Sequence, residues 1–198
     1  MYRVAILGSG RGSNAEAILR AQEDGRLGPA QVLGIFSDQQ HARILKLGPE
    51  FETPSLYLDP GPFKTKFTPD AETHWANVIE SISPDLVVLA GFMRVLKAPL
   101  LETFAGRIIN LHPSLLPQFP GLNAIQQAYD AGIEETGCTV HWVNSEIDGG
   151  KIIDQARVPI VKGESLEELE ERVHFAEHAL LTKVVRKLAE EAYFSVRH

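Results

Sequence analysis

The chain has 198 residues, 44% of them hydrophobic, a formal net charge of −7 and a single cysteine, Cys138. That length supports one sizeable core and is short for two domains. The acidic balance argues against nucleic-acid binding through a positive surface, and one cysteine excludes an internal disulfide framework and a cysteine-built zinc site.

No apolar stretch approaches the roughly 18 residues that a membrane span needs. The opening "MYRVAILGSG" resembles a first core strand more than a signal peptide, so a cytoplasmic globular protein is expected. Val4 to Leu7 reads as a buried strand, followed by "GSGRGSN" and a helix, "AEAILRAQEDG", stopping at Gly25. "QVLGIFSD" is a second strand, "HARILKLG" a short helix and "PSLYLD" a weaker third strand. The segment "LDPGPFKTKFTPD" is the longest loop, mobile or functional by expectation. Ala71, Trp75, Val78 and Ile79 are spaced for an amphipathic helix over Pro69 to Ser83. "DLVVLAGF" is an unalternated apolar run, the pattern of a strand covered on both faces. "APLLETFAG" reads as helix and "RIINLH" as another buried strand.

Beyond that strand the pattern changes. "NAIQQAYDAG" is a helix ending at Gly132. "CTVHWVN" alternates, setting Cys138, Val140 and Trp142 against a wetter face of Thr139, His141 and Val143, with "KIIDQARVPI" as its neighbour. A long helix is expected from about Ser165 to Glu191, with Ser165 as N-cap and Glu168 completing a capping box. Strand–helix alternation over the first 110 or so residues predicts an α/β fold: a doubly wound, mostly parallel sheet with helices on both faces, in one domain.

Gly8, Gly10 and Gly12 lie between the first strand and the first helix. A loop of this kind closes backbone N–H groups around a phosphate at a helix N-terminus. The dinucleotide fingerprint fails, because Ser13 stands where its third glycine belongs, and the P-loop lysine is missing. Ser13 and Asn14 add side-chain donors, which suits a single terminal phosphate. The alternative is a tight turn that needs glycine for packing alone.

"IINLHPSLLPQFPG" places Asn110 and His112 two apart at a strand end, on one side of an extended backbone. Pro113 favours that conformation at His112. Ligands of open parallel sheets bind beyond the carboxyl ends of strands, so this end should share an edge with the glycine loop. "SEIDGG" supplies a carboxylate, Asp148, beside two glycines. Amide, imidazole and carboxylate suit acyl transfer to an amine: Asn110 and a protonated His112 facing a developing oxyanion, Asp148 taking the amine's proton. Taken singly, His112 could be a structural histidine and Asp148 a turn former.

"GSGRGSN", "LVVLAGFMRVL", "IINLHPSLLPQFPG", "GCTVHWVNSEIDGGKII" and "AEHAL" occur in the order seen in the folate-dependent glycinamide ribonucleotide formyltransferase family, and the chain resembles that family from Val4 to about Leu180. The resemblance implies a formyl transferase of purine biosynthesis. Its co-substrate would be 10-formyltetrahydrofolate, its acceptor 5-phosphoribosylglycinamide, and no metal is implied. Asn110, His112 and Asp148 would be catalytic, and Gly10, Arg11, Gly12, Ser13 and Asn14 would hold the substrate phosphate. Glu177 would meet the substrate's amino end or ribose. Arg94, Val95 and Leu96, with Val143, Asn144, Ser145, Glu146 and Ile147, would line the folate pocket. Residues 1–110 would form the phosphate-binding part and residues 111–198 the folate and catalytic part. No nucleic-acid or membrane partner is implied, and a homodimer is left open.

Two departures stand out. Thr68 falls where the family often has a phosphate-reaching arginine, leaving Lys64 and Lys66 as nearby substitutes. Asn123 and Gln126 differ from the family's usual residues in the helix after Gly121. His141, His174 and His178 read as packing or surface histidines. Two other functions stay open: a formyl transferase acting on a different phosphorylated amine, such as an amino sugar, and a ligand-binding relative without turnover.

Overall fold

The computed structural model describes residues 1–195. Seven strands form one sheet in the order β3-β2-β1-β4-β5-β6-β7. Strands β1 (Tyr2–Leu7), β2 (Ala30–Ser37), β3 (Ser55–Tyr57), β4 (Leu86–Leu89) and β5 (Ile108–His112) run parallel. Strands β6 (Glu135–Trp142) and β7 (Ile152–Pro159) are antiparallel, to β5 and to each other. The helices are α1 (Ser13–Glu23), α2 (Leu47–Glu50) after a 3₁₀ turn over Arg43–Lys46, α3 (Pro69–Glu80), α4 (Ala98–Thr103), α5 (Ala124–Asp130) and α6 (Leu166–Ser195). The mostly parallel, doubly wound sheet expected from the sequence is present. Among the described residues no helix is long and apolar enough to cross a membrane.

Period-two packing explains the unalternated strands. Val4, Ile6, Leu86 and Val88 enter one core with Ile18 and Leu19 of α1 and Leu181, Val184 and Val185 of α6. Ala5, Leu7, Val87 and Leu89 face the opposite core with Trp75 and Ile79 of α3 and Leu100 of α4. Both faces are covered, so both sets of side chains are apolar. The capping box forms as expected: Glu168 N donates to Ser165 Oγ at 3.2 Å, and Ser165 N to Glu168 Oε2 at 2.8 Å. Helix α6 runs four residues past the expected end, to Ser195.

One expectation is corrected. Strand β6 has no wet face: Thr139 and His141 are buried like Cys138 and Val140. Thr139 Oγ1 donates to Ser114 O at 2.7 Å and accepts from Leu116 N at 3.1 Å, which satisfies a polar group inside the sheet. The long loop over residues 58–68 makes several contacts with the body of the fold. Trp75 Nε1 donates to Asp59 O at 3.2 Å, Phe67 packs edge-on to Trp75 at 5.3 Å, and Arg94 Nη1 donates to Phe63 O and Lys66 O at 2.6 Å each.

The chain winds outward from β1 to β3, then crosses back to β4 and β5. That reversal between β1 and β4 opens a crevice at the strand carboxyl ends. The register aligns Leu7 with Leu89, Leu89 with Asn110 and Asn110 with His141. Two strand spacings, roughly 10 Å, therefore separate the end of β1 from Asn110 along this row.

Candidate active site

The glycine loop follows β1 directly. Gly12 has φ +79°, and an alanine Cβ there would lie 2.8 Å from Ile44 Cβ. A Cβ at Gly8 would lie 2.4 Å from Ile44 Cδ1. These two glycines are demanded by packing under Ile44. Gly10 is different: a Cβ there meets nothing within 4 Å, and its φ lies outside the left-handed region. Among the described residues no acceptor takes the N–H of Gly10, Arg11 or Gly12. The first amides of α1 likewise have no intrahelical acceptor. Free donors around an open glycine leave this turn with the geometry that can receive an anion.

At the edge of this crevice, Asn110, His112, His141 and Asp148 converge. Asp148 Oδ2 lies 3.4 Å from His112 Nδ1 and accepts from Gly121 N at 2.9 Å. Asp148 Oδ1 lies 3.6 Å from His141 Nε2 and 3.5 Å from Asn110 Nδ2. Backbone carbonyls fix the rings, because a carbonyl only accepts. His112 Nε2 donates to Phe119 O at 2.8 Å, so Nδ1 is the nitrogen turned to the carboxylate. His141 Nδ1 donates to Trp142 O at 2.9 Å, which leaves Nε2 to accept from Asn110 Nδ2 at 3.2 Å when the ring is neutral.

The proline-rich segment after His112 folds back to make this clamp. Ser114 Oγ donates to Gln118 O at 2.6 Å, which brings the Phe119 carbonyl over the ring. Asp148 sits at φ +52°, a conformation that short polar side chains tolerate. Gly150 is required behind it, because a Cβ there would lie 1.6 Å from Trp142 O. Burial pushes the Asp148 carboxyl up. The hydrogen bond to His141, the Gly121 amide and the charges of His112 and His141 together outweigh it, so the group lies below its ordinary value.

A cavity of about 270 Å³ opens onto the cluster. Arg94, Val95, Leu96, Val143, Asn144, Ser145, Glu146 and Ile147 all line it, together with Asn110, His112 and Asp148. Met93, Leu122 and Ile147 give it exposed apolar surface. Arg94 brings no free charge to that wall. Its guanidinium is buried in an ion pair, Nε to Asp38 Oδ2 at 2.7 Å, with both side chains under 5% exposed. Thr68 is the N-cap of α3, its Oγ1 accepting from Ala71 N at 3.2 Å, while Lys64 and Lys66 are exposed. Asn123 lines the cavity, and Gln126 turns instead to Asp130 at 2.8 Å.

Glu177 of α6 is buried and reaches across to the glycine loop, where Asn14 Nδ2 donates to its Oε2 at 3.2 Å. His174 Nδ1 lies 2.9 Å from the same oxygen, so His174 belongs to this end of the crevice. His141, a packing or surface histidine by its sequence context, is buried with its Nε2 3.6 Å from Asp148 Oδ1, within the cluster. Only the antiparallel register of β5 and β6, opposite Asn110, brings it there.

A family model described as "Formyl transferase" matches residues 2–185. The chain is 37% identical over 192 residues to the phosphoribosylglycinamide formyltransferase of Haemophilus influenzae, covering 96% of this chain and 88% of that protein. It is 39% identical over 191 residues to the trifunctional purine biosynthetic protein adenosine-3 of Drosophila pseudoobscura pseudoobscura, covering 96% of this chain but spanning only 14% of that relative's length. Among solved structures, glycinamide ribonucleotide transformylase 1 from Symbiobacterium toebii superposes with a TM-score of 0.90 at 38% identity, covering 96% of this chain and 89% of that one.

Proposed function

The chain belongs to the formyl transferase family, and from that premise we propose that it moves the formyl group of 10-formyltetrahydrofolate onto the amine of 5-phosphoribosylglycinamide, a step of purine biosynthesis in the cytoplasm. The observation that carries this reading is the meeting of Asn110, His112 and Asp148 on the wall of one cavity, in register with the glycine loop. The glycine loop, with Glu177 reaching it from α6, forms the phosphate end of the site; Asn110, His112 and Asp148, with Arg94 to Leu96 and Val143 to Ile147, form the folate and catalytic end.

The substrate phosphate takes the free N–H groups of Gly10, Arg11 and Gly12 and the side chains of Ser13 and Asn14. Glu177 receives a donor from the ribose or amino end. Folate lies along Arg94, Val95, Leu96 and Val143 to Ile147, with its formyl carbon turned to the cluster. The amine attacks that carbon and a new C–N bond forms as the carbonyl oxygen takes negative charge. Asn110 Nδ2 and, in the protonated ring, His112 Nδ1–H donate to that oxygen; their contacts to Asp148 are long, 3.5 and 3.4 Å, which leaves both donors open to a stronger acceptor. The amine's proton passes to Asp148, directly or through one water. It then reaches N10 of the folate as the old C–N bond breaks, releasing tetrahydrofolate. The lowered Asp148 carboxyl is ionised at neutral pH, as a proton acceptor must be.

The test is formyl transfer from 10-formyltetrahydrofolate, measured with 5-phosphoribosylglycinamide, with an amino sugar nucleotide and with water as the sole acceptor. Turnover confined to 5-phosphoribosylglycinamide is the expected outcome. Turnover on the amino sugar, or hydrolysis alone, refutes the acceptor; no consumption of the folate in any arm refutes transfer altogether.

A further inference from the structure

Where α6 meets the glycine loop, one carboxylate oxygen serves two donors. Glu177 is 4% exposed, and its Oε2 takes Asn14 Nδ2 at 3.2 Å and His174 Nδ1 at 2.9 Å. His174 is half in solvent, its side chain 52% exposed, so its proton exchanges with bulk water while its partner stays buried. The groups that face this imidazole are Glu177 and Glu170 on its own helix and Arg11 across the loop. His178, one turn on, faces Glu177, His174 and Glu16 of α1. Cys138 of β6 faces Glu177 from below and stays neutral, its thiol pushed up to about 12 by burial.

We propose that His174 sets the pH dependence of phosphate binding at this end of the site, through the charge of its pair with Glu177. This rests on the reading of the glycine loop as the substrate's phosphate site. With His174 protonated, the His174–Glu177 pair is electrically neutral, and Arg11 dominates the rim of the loop. When His174 loses its proton, the pair carries one net negative charge beside the anion site, which repels a phosphate.

The hydrogen bond to Glu177 raises the proton affinity of His174; partial burial opposes it, the charges of Glu177 and Glu170 add to it, and Arg11 subtracts. The switch therefore falls above the ordinary histidine value, about 6.5. A phosphate monoester has largely completed its second ionisation, near 6, below that range. Ribose 5-phosphate, which has no amine, gains little further charge across that range, and that gain favours binding, opposite in sign to the effect of deprotonating His174. One exposed charge acting on another shifts affinity by about two- to fivefold.

The test is calorimetric titration of ribose 5-phosphate and of 5-phosphoribosylglycinamide from pH 6.5 to 9, on the native chain, on His174→Gln and on His174→Lys. The native affinity for ribose 5-phosphate should fall by about two- to fivefold across this range, while 5-phosphoribosylglycinamide, whose amine titrates near 8, shows whether the difference between variants persists on the substrate. His174→Gln should stay weak and flat, and His174→Lys, which keeps its charge, tight and flat. A His174→Gln profile that matches the native one, or a His174→Lys variant as weak as the glutamine, overturns the proposal. If ribose 5-phosphate fails to bind the native chain at every pH, the phosphate reading of the glycine loop falls and takes the proposal with it.

Discussion

Replacing Gly10 by alanine separates what the glycine loop does for the ligand from what it does for the fold. An added methyl at Gly10 meets no atom within 4 Å and needs no left-handed backbone. Stability should therefore be unchanged or rise by up to about 1 kcal/mol, through the lost freedom of the unfolded chain. Gly12→Ala is the control. Its φ of +79° costs a substituted residue about 1–2 kcal/mol. Its Cβ, 2.8 Å from Ile44 Cβ, adds an overpacking cost of about 1–3 kcal/mol. Together these lower the melting temperature by roughly 4–20 °C for a chain of this size. In Gly10→Ala the methyl stands where an anion would sit, and the loss of one charge-assisted hydrogen bond is worth about 1.5–3 kcal/mol, or roughly ten- to a hundredfold in affinity. Differential scanning calorimetry and titration with ribose 5-phosphate read the two effects separately. If Gly10→Ala binds phosphate as tightly as the native chain, or melts as early as Gly12→Ala, the distinction between packing glycines and a ligand glycine is wrong.

Asp38→Asn leaves the Arg94 guanidinium buried with carbonyl partners only, and should cost about 3–5 kcal/mol in urea denaturation; a loss under 1 kcal/mol would show that the pair is not a strut of the cavity wall. Ser165→Ala removes half of the capping box and should cost about 1 kcal/mol in the same assay, while Ser165→Asp restores it. Acid stability carries a signed prediction for Asp148. Its carboxyl is held lower in the folded chain than its ordinary 3.8. The stability it contributes is therefore complete above that value and drains away as pH falls through the folded value. Asp148→Asn should flatten that part of the pH–stability curve; an equally steep decline in the variant would assign the loss to other carboxylates.

Much of the fold was legible because local signals agreed with it. Ser165 and Glu168 announced the start of α6, and continuous apolar runs announced β1, β4 and β5 as strands covered on both faces. The eight residues expected along the second ligand do line the cavity, because they lie in two loops whose ends the strands fix. What stayed hidden depends on contacts between distant segments. Gly8 and Gly12 read as phosphate glycines or turn glycines, and only Ile44, more than thirty residues on, makes them packing glycines. His141 sat on what alternation marked as a wetter face. Strand β5 opposes it with Asn110, a register that no local pattern encodes. Arg94 lines the cavity as expected, but nothing local encodes its ion pair with Asp38, which lies just past the end of β2. Thr68, in place of an expected arginine, turned out to be a helix cap.

The central claim is that Asp148 takes the proton of the attacking amine while Asn110 and His112 hold the oxygen. The most direct measurement is the single-turnover rate of formyl transfer to 5-phosphoribosylglycinamide at saturating ligands, comparing the native chain with Asp148→Asn. The account predicts a fall on the order of a hundredfold or more, with ribose 5-phosphate still bound as tightly as before. A variant that transfers the formyl group at close to the native rate would contradict it.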